Sequence, residues 1–176
     1  DFDTDGIITT PVGSGTDKAY ALCIQGDGKI VAAGYSSNGV NDDFTLVRYN
    51  SDGSLDTDFD LDGIATTPVG SGTDRAYDLC IQDDGKIVTA GSSHNGTDND
   101  FALVRYNKDG TLDTDSDITP DITFGTGGIV TTQLGVGTQD VASALAIQAD
   151  GKIVAAGRSN DGLFDDFALV RYGSDL

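Results

Sequence analysis

The sequence predicts an all-β fold of small antiparallel sheets in tandem, on three observations. All 29 acidic residues are aspartate; Asp bonds nearby backbone and favours turns and caps, whereas Glu favours helix interiors. The 24 glycines, the lack of Met and Trp, and short runs of Thr, Val, Ile and Tyr fit strands joined by tight loops. Finally, the chain repeats itself. GDGKIVAAG at 26–34 returns as DDGKIVTAG at 83–91 and ADGKIVAAG at 149–157, and DFTLVRYN at 43–50 returns as DFALVRYN at 100–107 and DFALVRYG at 166–173. Gly28 to Gly85 is 57 residues and Gly85 to Gly151 is 66, the excess falling mostly in an insertion around SDITPDIT at 116–123.

Each repeat divides in the same order. An apolar run such as AYALCIQ (19–25) is followed by a Gly turn and KIVAAGYS (29–36). A polar Asn/Gly/Asp loop leads to FTLVRYN (44–50), the turn SDGS (51–54), LDTDF (55–59) and GIATT (63–67). In AYALCIQ the two-residue strand period places Tyr20, Leu22 and Ile24 on one face and Ala21 and Cys23 on the other, both apolar. A strand apolar on both faces must be covered on both, which suits a small sheet stacked between two like sheets. Three tandem β-propeller-type blades of about four antiparallel strands are therefore expected, at 7–63, 64–128 and 129–176, joined near Gly6, Gly63 and Gly128. A linear β-solenoid is the structural alternative, but its coils are shorter and need no hairpin in each unit.

The run Leu-Asp-Thr-x-Phe, Gly-Ile-x-Thr-Thr, Ala-Leu-x-Ile-Gln-x-Asp-Gly-Lys-Ile-Val-x-Ala-Gly and Asp-Phe-x-Leu-Val-Arg-Tyr resembles the delta-60 repeat, a bacterial tandem-repeat family with a β-propeller fold. The order of turns is also similar to that of NHL-type blades. The resemblance implies a secreted or surface-attached bacterial protein with no established activity.

The formal charge of −19 repels a phosphate backbone, which excludes nucleic acid, and suits calcium-rich or salty surroundings that screen self-repulsion. No apolar run reaches the roughly 20 residues of a bilayer span, and no basic-then-apolar signal segment is present. The chain does not begin with Met, so a processed or trimmed product is expected.

Catalytic chemistry finds little support. His94, the single histidine, lies in a polar loop, so no Ser-His-Asp or Cys-His set can be assembled around it. Without Glu, and with Asp abundant, any glycosidase-like pair of carboxylates is an arbitrary choice. Cys23 and Cys80 hold equivalent positions in repeats one and two, where Ala146 stands in the third, and are read as free thiols acting as small hydrophobes. VGSG at 12–15 and 69–72 lacks the Lys-Ser/Thr and the helix of a phosphate loop. The sequon at Asn95 is read as incidental. Arg48, Arg105 and Arg171 each follow an aspartate (Asp43, Asp100, Asp166) by five residues, and a repeated structural ion pair or hydrogen bond to loop carbonyls is expected of them.

DFDTDG at 1–6 and DFDLDG at 58–63 open like calcium loops, making Asp1, Asp3, Asp5, Asp58, Asp60 and Asp62 candidate metal ligands. The third repeat has TFGTGG at 123–128, so the fold does not require the carboxylates. Counting from Asp58, the ninth and twelfth positions are Thr66 and Val69, where calcium loops carry acids. A solvated acidic turn is the leading reading and a bound calcium ion the alternative.

The functional expectation is a non-enzymatic extracellular or cell-surface structural module that self-associates head to tail as a homo-oligomer or polymer. Residues 1–6, within the segment 1–10, would complete the outer strand of the third blade of a neighbouring chain. Two chains would then close a six-bladed ring, or an operator that does not close would propagate a filament. A lectin-like propeller binding glycan through the loops at 37–43, 93–100 and 159–166 is the alternative, and a hydrolase the third.

Overall fold

The computed structural model describes residues 2–114, 124–135 and 137–173, so the insertion at 116–123 and the candidate ligand Asp1 lie outside the described residues. The described residues are all-β and form three antiparallel sheets. The first contains β1 (Asp17–Ile24), β2 (Ile30–Ser37), β3 (Asp42–Tyr49) and β4 (Ile64–Thr67), hydrogen-bonded in that order. The second repeats it with β5 (Asp74–Ile81), β6 (Ile87–His94), β7 (Asn99–Tyr106) and β8 (Ile129–Thr132). The third contains β9 (Val141–Ile147), β10 (Ile153–Asn160) and β11 (Asp165–Tyr172).

The sheets are offset from the sequence repeats by one strand. Boundaries at 63/64 and 128/129 fall in front of β4 and β8, yet β4 pairs with β3 and β8 with β7 of the preceding repeat. The counterpart of β4 near the start of the chain is therefore 7–10, not 1–6. The repeated Asp-Gly explains the first hairpin of each sheet. Asp27 Oδ1 accepts from Lys29 N at 3.1 Å, and Gly28 takes φ +86°, a region that L side chains rarely adopt.

The glycine that ends Lys-Ile-Val-x-Ala-Gly has another cause. β1 bulges between Ala19 and Ala21, which lays the Lys18 carbonyl over Gly34, where a Cβ would stand 1.8 Å from that oxygen. Gly91 meets Arg75 O and Gly157 meets Val141 O in the same way. The bulge also breaks the alternation expected of AYALCIQ. Leu22 and Ile24 stay on one face, but Tyr20 leaves it and packs against Tyr35 and Tyr77, with ring centroids 5.9 and 5.2 Å away.

Both faces of the middle sheet are covered. The face of the first sheet that carries Val31, Ala33, Phe44 and Leu46 packs on Leu79, Ile87, Val104 and Tyr106 of the second. The opposite face of the second, with Val88, Ala90, Phe101 and Leu103, packs on Ala142, Ile153, Ala168 and Tyr172 of the third. Because paired residues in an antiparallel sheet share a side, each sheet has a front, with Phe-x-Leu, and a back, with the Tyr of Val-Arg-Tyr. Front meets back at both junctions.

Candidate functional site

An arginine clamp recurs at the end of β3 and of β7, and at the first junction it crosses to the next blade. Arg48 Nε donates to Asp56 Oδ2 at 2.6 Å, Lys29 Nζ reaches the same oxygen at 2.7 Å, and the guanidinium lies 4.5 Å from the centre of the buried Phe59 ring. Arg48 Nη1 also donates across the junction to the Lys108 carbonyl. In the second repeat Arg105 and Lys86 hold Asp113 at 2.6 and 2.8 Å, with Arg105 4.6 Å from the centre of the Phe124 ring. The structural ion pair expected of Arg48 and Arg105 is made with Asp56 and Asp113, and not with the aspartates five residues earlier, Asp43 and Asp100. Five residues of strand put such groups on opposite faces and roughly 17 Å apart, whereas the turn after β3 returns Asp56 N to the Arg48 carbonyl at 3.0 Å. Burial raises the Asp56 carboxyl, but the hydrogen bonds and charges of Lys29 and Arg48 outweigh it and hold it below the usual range. Arg171 stands at the same position in β11, exposed and without a carboxylate or ring partner among the described residues. Asp166 is exposed beside Phe167.

A second link crosses each junction: Tyr106 Oη donates to Thr67 Oγ1 at 2.9 Å, and the Tyr172 and Thr132 hydroxyls meet at 3.0 Å. The same bond ties the segment before β1 to the first sheet, where Tyr49 Oη donates to Thr10 Oγ1 at 2.7 Å. The sequence carried the signal, since the Tyr of Val-Arg-Tyr and the second Thr of Gly-Ile-x-Thr-Thr recur together. An ion pair adds a third link at the first junction: Arg75 of β5 donates to Asp42 of β3 at 2.5 and 2.7 Å while lying over the Tyr35 ring.

The two ends of the stack carry the same surfaces uncovered. On the front of the third sheet Phe167 is 100% and Leu169 71% exposed, whereas Phe44, Leu46, Phe101 and Leu103 are 0% exposed at the junctions. On the back of the first sheet Leu22 is 67% exposed, against 5% for its counterpart Leu79. The outer edge of β11 has no strand partner among the described residues.

The sequence pattern of a β-propeller domain of unknown function, DUF5122, matches residues 25–59, 82–115 and 148–176, together more than half of the chain. The chain belongs to this β-propeller family. Each match opens on the Gln before the Gly turn and the first two take in the Arg–Asp pair of the clamp, so one DUF5122 unit covers the middle strands of a blade and that pair. The description does not carry the delta-60 name, and among curated proteins none matches the chain.

The polar loops of the blades are satisfied from within. Asn38 Nδ2 donates to Asn41 Oδ1 and Asp43 Oδ2, while its Oδ1 accepts from Val40 N and Asn41 N. Asn95 does the same with Asp98, Asp100 and Thr97, and Asn160 Nδ2 holds Asp165 Oδ1. Burial, with the charges of Asp74 and Asp42, pushes the Asp43 carboxyl up against the Asn38 bond. His94 Nδ1 accepts from Gly96 N at 3.1 Å, a loop-shaping bond. VGSG cradles a carboxylate of the chain itself: Asp17 accepts from Val12 N and Gly13 N, and Asp74 from Val69 N and Gly70 N. Cys23 and Cys80 are free and half-buried, and burial, then the Asp78 charge, pushes the Cys80 thiol up to about 11.

The aspartates of DFDTDG and DFDLDG shape the connector between blades. Asp3 and Asp60 take φ +46° and +45°, and Gly125 stands at the equivalent place with φ +60°. Aspartate tolerates this region better than most residues, and glycine adopts it freely. Asp5 Oδ1 accepts from Ile7 N at 3.0 Å and Asp62 Oδ1 from Ile64 N at 2.9 Å. Burial, then the charges of Asp62 and Asp109, pushes the Asp60 carboxyl up. Among the described residues no three His, Cys, Asp or Glu side chains come together to hold a metal ion, so Asp3, Asp5, Asp58, Asp60 and Asp62 do not form one.

Proposed function

We propose that this chain is a non-enzymatic scaffold module that associates with itself head to tail, front of the third blade to back of the first. The observation that carries the reading is the pair of uncovered end faces, in which Phe167, Leu169 and Leu22 present what Phe44, Leu46 and Leu79 bury at the junctions. Exposed apolar faces of this kind favour association. A heterologous contact of this type closes into a ring or runs on as a filament. Closed propellers have about four to eight blades, so two three-bladed chains suffice for a ring. The acidic surface suits an extracellular setting, where salt and divalent cations screen self-repulsion. The inward bonding of Asn38, Asn95 and Asn160 favours a scaffold over glycan binding by those loops.

Sedimentation velocity across micromolar concentrations tests the reading. The expected result is a mass of two chains or more, reduced towards one chain by Leu22→Asp. A one-chain mass throughout the range refutes it.

A further inference from the structure

Resting on that self-association, we propose that the contact is made by strand donation: Ile7–Thr10 of one chain becomes the fourth strand of the β9–β11 blade of a second copy. The donor is already held in position. At the first internal junction, the connector that delivers β4 is fixed on the following blade by Asp60 N to Asp109 O at 2.6 Å, and its turn is closed by Gly63 N to Phe59 O at 2.7 Å. Residues 2–10 make the same bonds on the first blade, with Asp3 N to Asp52 O at 2.7 Å and Gly6 N to Phe2 O at 3.0 Å. With the Asp5 cap on Ile7 N and the Thr10–Tyr49 bond, every anchor of a fourth strand is present. Yet Ile7–Thr10 pairs with no strand among the described residues. A strand edge with unpaired backbone groups and a segment fixed in the geometry of its partner complement each other.

The two internal junctions set the register. Phe44 pairs with Thr67 and Val47 with Ile64, and Phe101 pairs with Thr132 and Val104 with Ile129. Transferred to β11, Thr10 faces Phe167, Thr9 faces Ala168, Ile8 faces Leu169 and Ile7 faces Val170.

Two side-chain matches come with this register and single out another copy of the chain as the occupant. Phe2 is the counterpart of Phe59 and Phe124, the rings beneath Arg48 and Arg105, and it would arrive beneath Arg171, whose ring position is unfilled among the described residues. Lys18 is the counterpart of Arg75, and Asp165 that of Asp42, so the ion pair of the first junction recurs with Lys18 of one chain and Asp165 of the other. Asp165 is meanwhile held by Arg158 at 2.8 and 2.9 Å in an exposed pair that can exchange partners.

Register-specific cross-linking is the test, in a background with Cys23→Ala and Cys80→Ala, the residue that repeat three carries at this position. Paired antiparallel strands hold facing Cα atoms about 4.5 to 5.5 Å apart, within disulfide reach. Thr9→Cys with Ala168→Cys is expected to give disulfide-linked chains under mild oxidation, at least about tenfold more than Thr9→Cys with Phe164→Cys, four residues out of register. Ile7→Cys with Val170→Cys repeats the measurement at a second rung if Ala168→Cys impairs folding. Sedimentation of each background separates the claims. Assembly with no in-register preference overturns strand donation and leaves self-association standing, whereas a one-chain mass at every concentration overturns both.

Discussion

Replacing Asp113 with alanine removes the single carboxylate that two cations share. The side chains of Arg105 and Asp113 are 6% and 3% exposed, while that of Lys86 is 28% exposed. Lys86 can therefore turn to water, and the charge that loses its carboxylate is the buried Arg105, which keeps its stacking on Phe124 and its other contacts. Breaking a buried pair costs about 3 to 5 kcal/mol because the remaining charge is left uncompensated. Retained stacking places this loss near the lower end, about 3 kcal/mol. For a chain of this size each kcal/mol lowers the melting temperature by about 2 to 4 °C, so calorimetry at pH 7 should show a fall of about 6 to 12 °C. Burial raises the Asp113 carboxyl, but hydrogen bonds and charges from Lys86 and Arg105 prevail and lower it below 3.8. As the pH falls, the unfolded chain takes up this proton first. The contribution is therefore complete above about pH 4 and drains away as the pH drops through the folded value. The difference between parent and variant should narrow in acid. Lys152→Ala, which removes the exposed pair with Asp150 and leaves the Asp150 turn bond in place, should leave the melting temperature unchanged. A variant at Asp113 that melts within about 2 °C of the parent at pH 7 would refute the clamp as a source of stability.

Two further expectations concern the bulge and the connector. Gly91→Ala drives a Cβ to within 1.8 Å of the Arg75 carbonyl oxygen and should cost about 3 kcal/mol or more in urea denaturation, whereas Gly26→Ala, with open space around it, should stay within about 0.5 kcal/mol. At ionic strength high enough to screen the acidic surface, calcium and chelator should give equal melting temperatures, since the Asp5 and Asp62 carboxylates cap backbone amides; a rise in millimolar calcium that Asp60→Asn abolishes would show that a metal is held.

The blades were legible because the relevant physics is local and stated three times. Period-two apolar runs, Asp-Gly turns and strands apolar on both faces all require small stacked sheets. What escaped depended on the chain doubling back. The strand position of Arg48 called for a structural partner without naming it, and the turn after β3 supplies Asp56, eight residues later. The bulge at Tyr20 left no trace in β1 itself; its signature was Gly34 on the neighbouring strand. The Asn loops looked like binding surfaces because polar residues read alike whether they face solvent or one another, and only the geometry places the Asn95 side chain on Asp98 and Asp100.

The one-strand offset between repeat and sheet decides what can melt alone. Each four-stranded blade takes three strands from one repeat and its outer strand from the next, so a repeat excised at its sequence boundaries would carry an orphan strand at one end and a raw edge at the other. Neighbouring units share a sheet as well as a surface, and opening one blade strips hydrogen bonds from its neighbour. In an Ising-like description of repeat proteins this raises the nearest-neighbour term at the expense of the intrinsic one. Partly folded chains are thereby penalised, and the three blades are bound to unravel as a single cooperative unit.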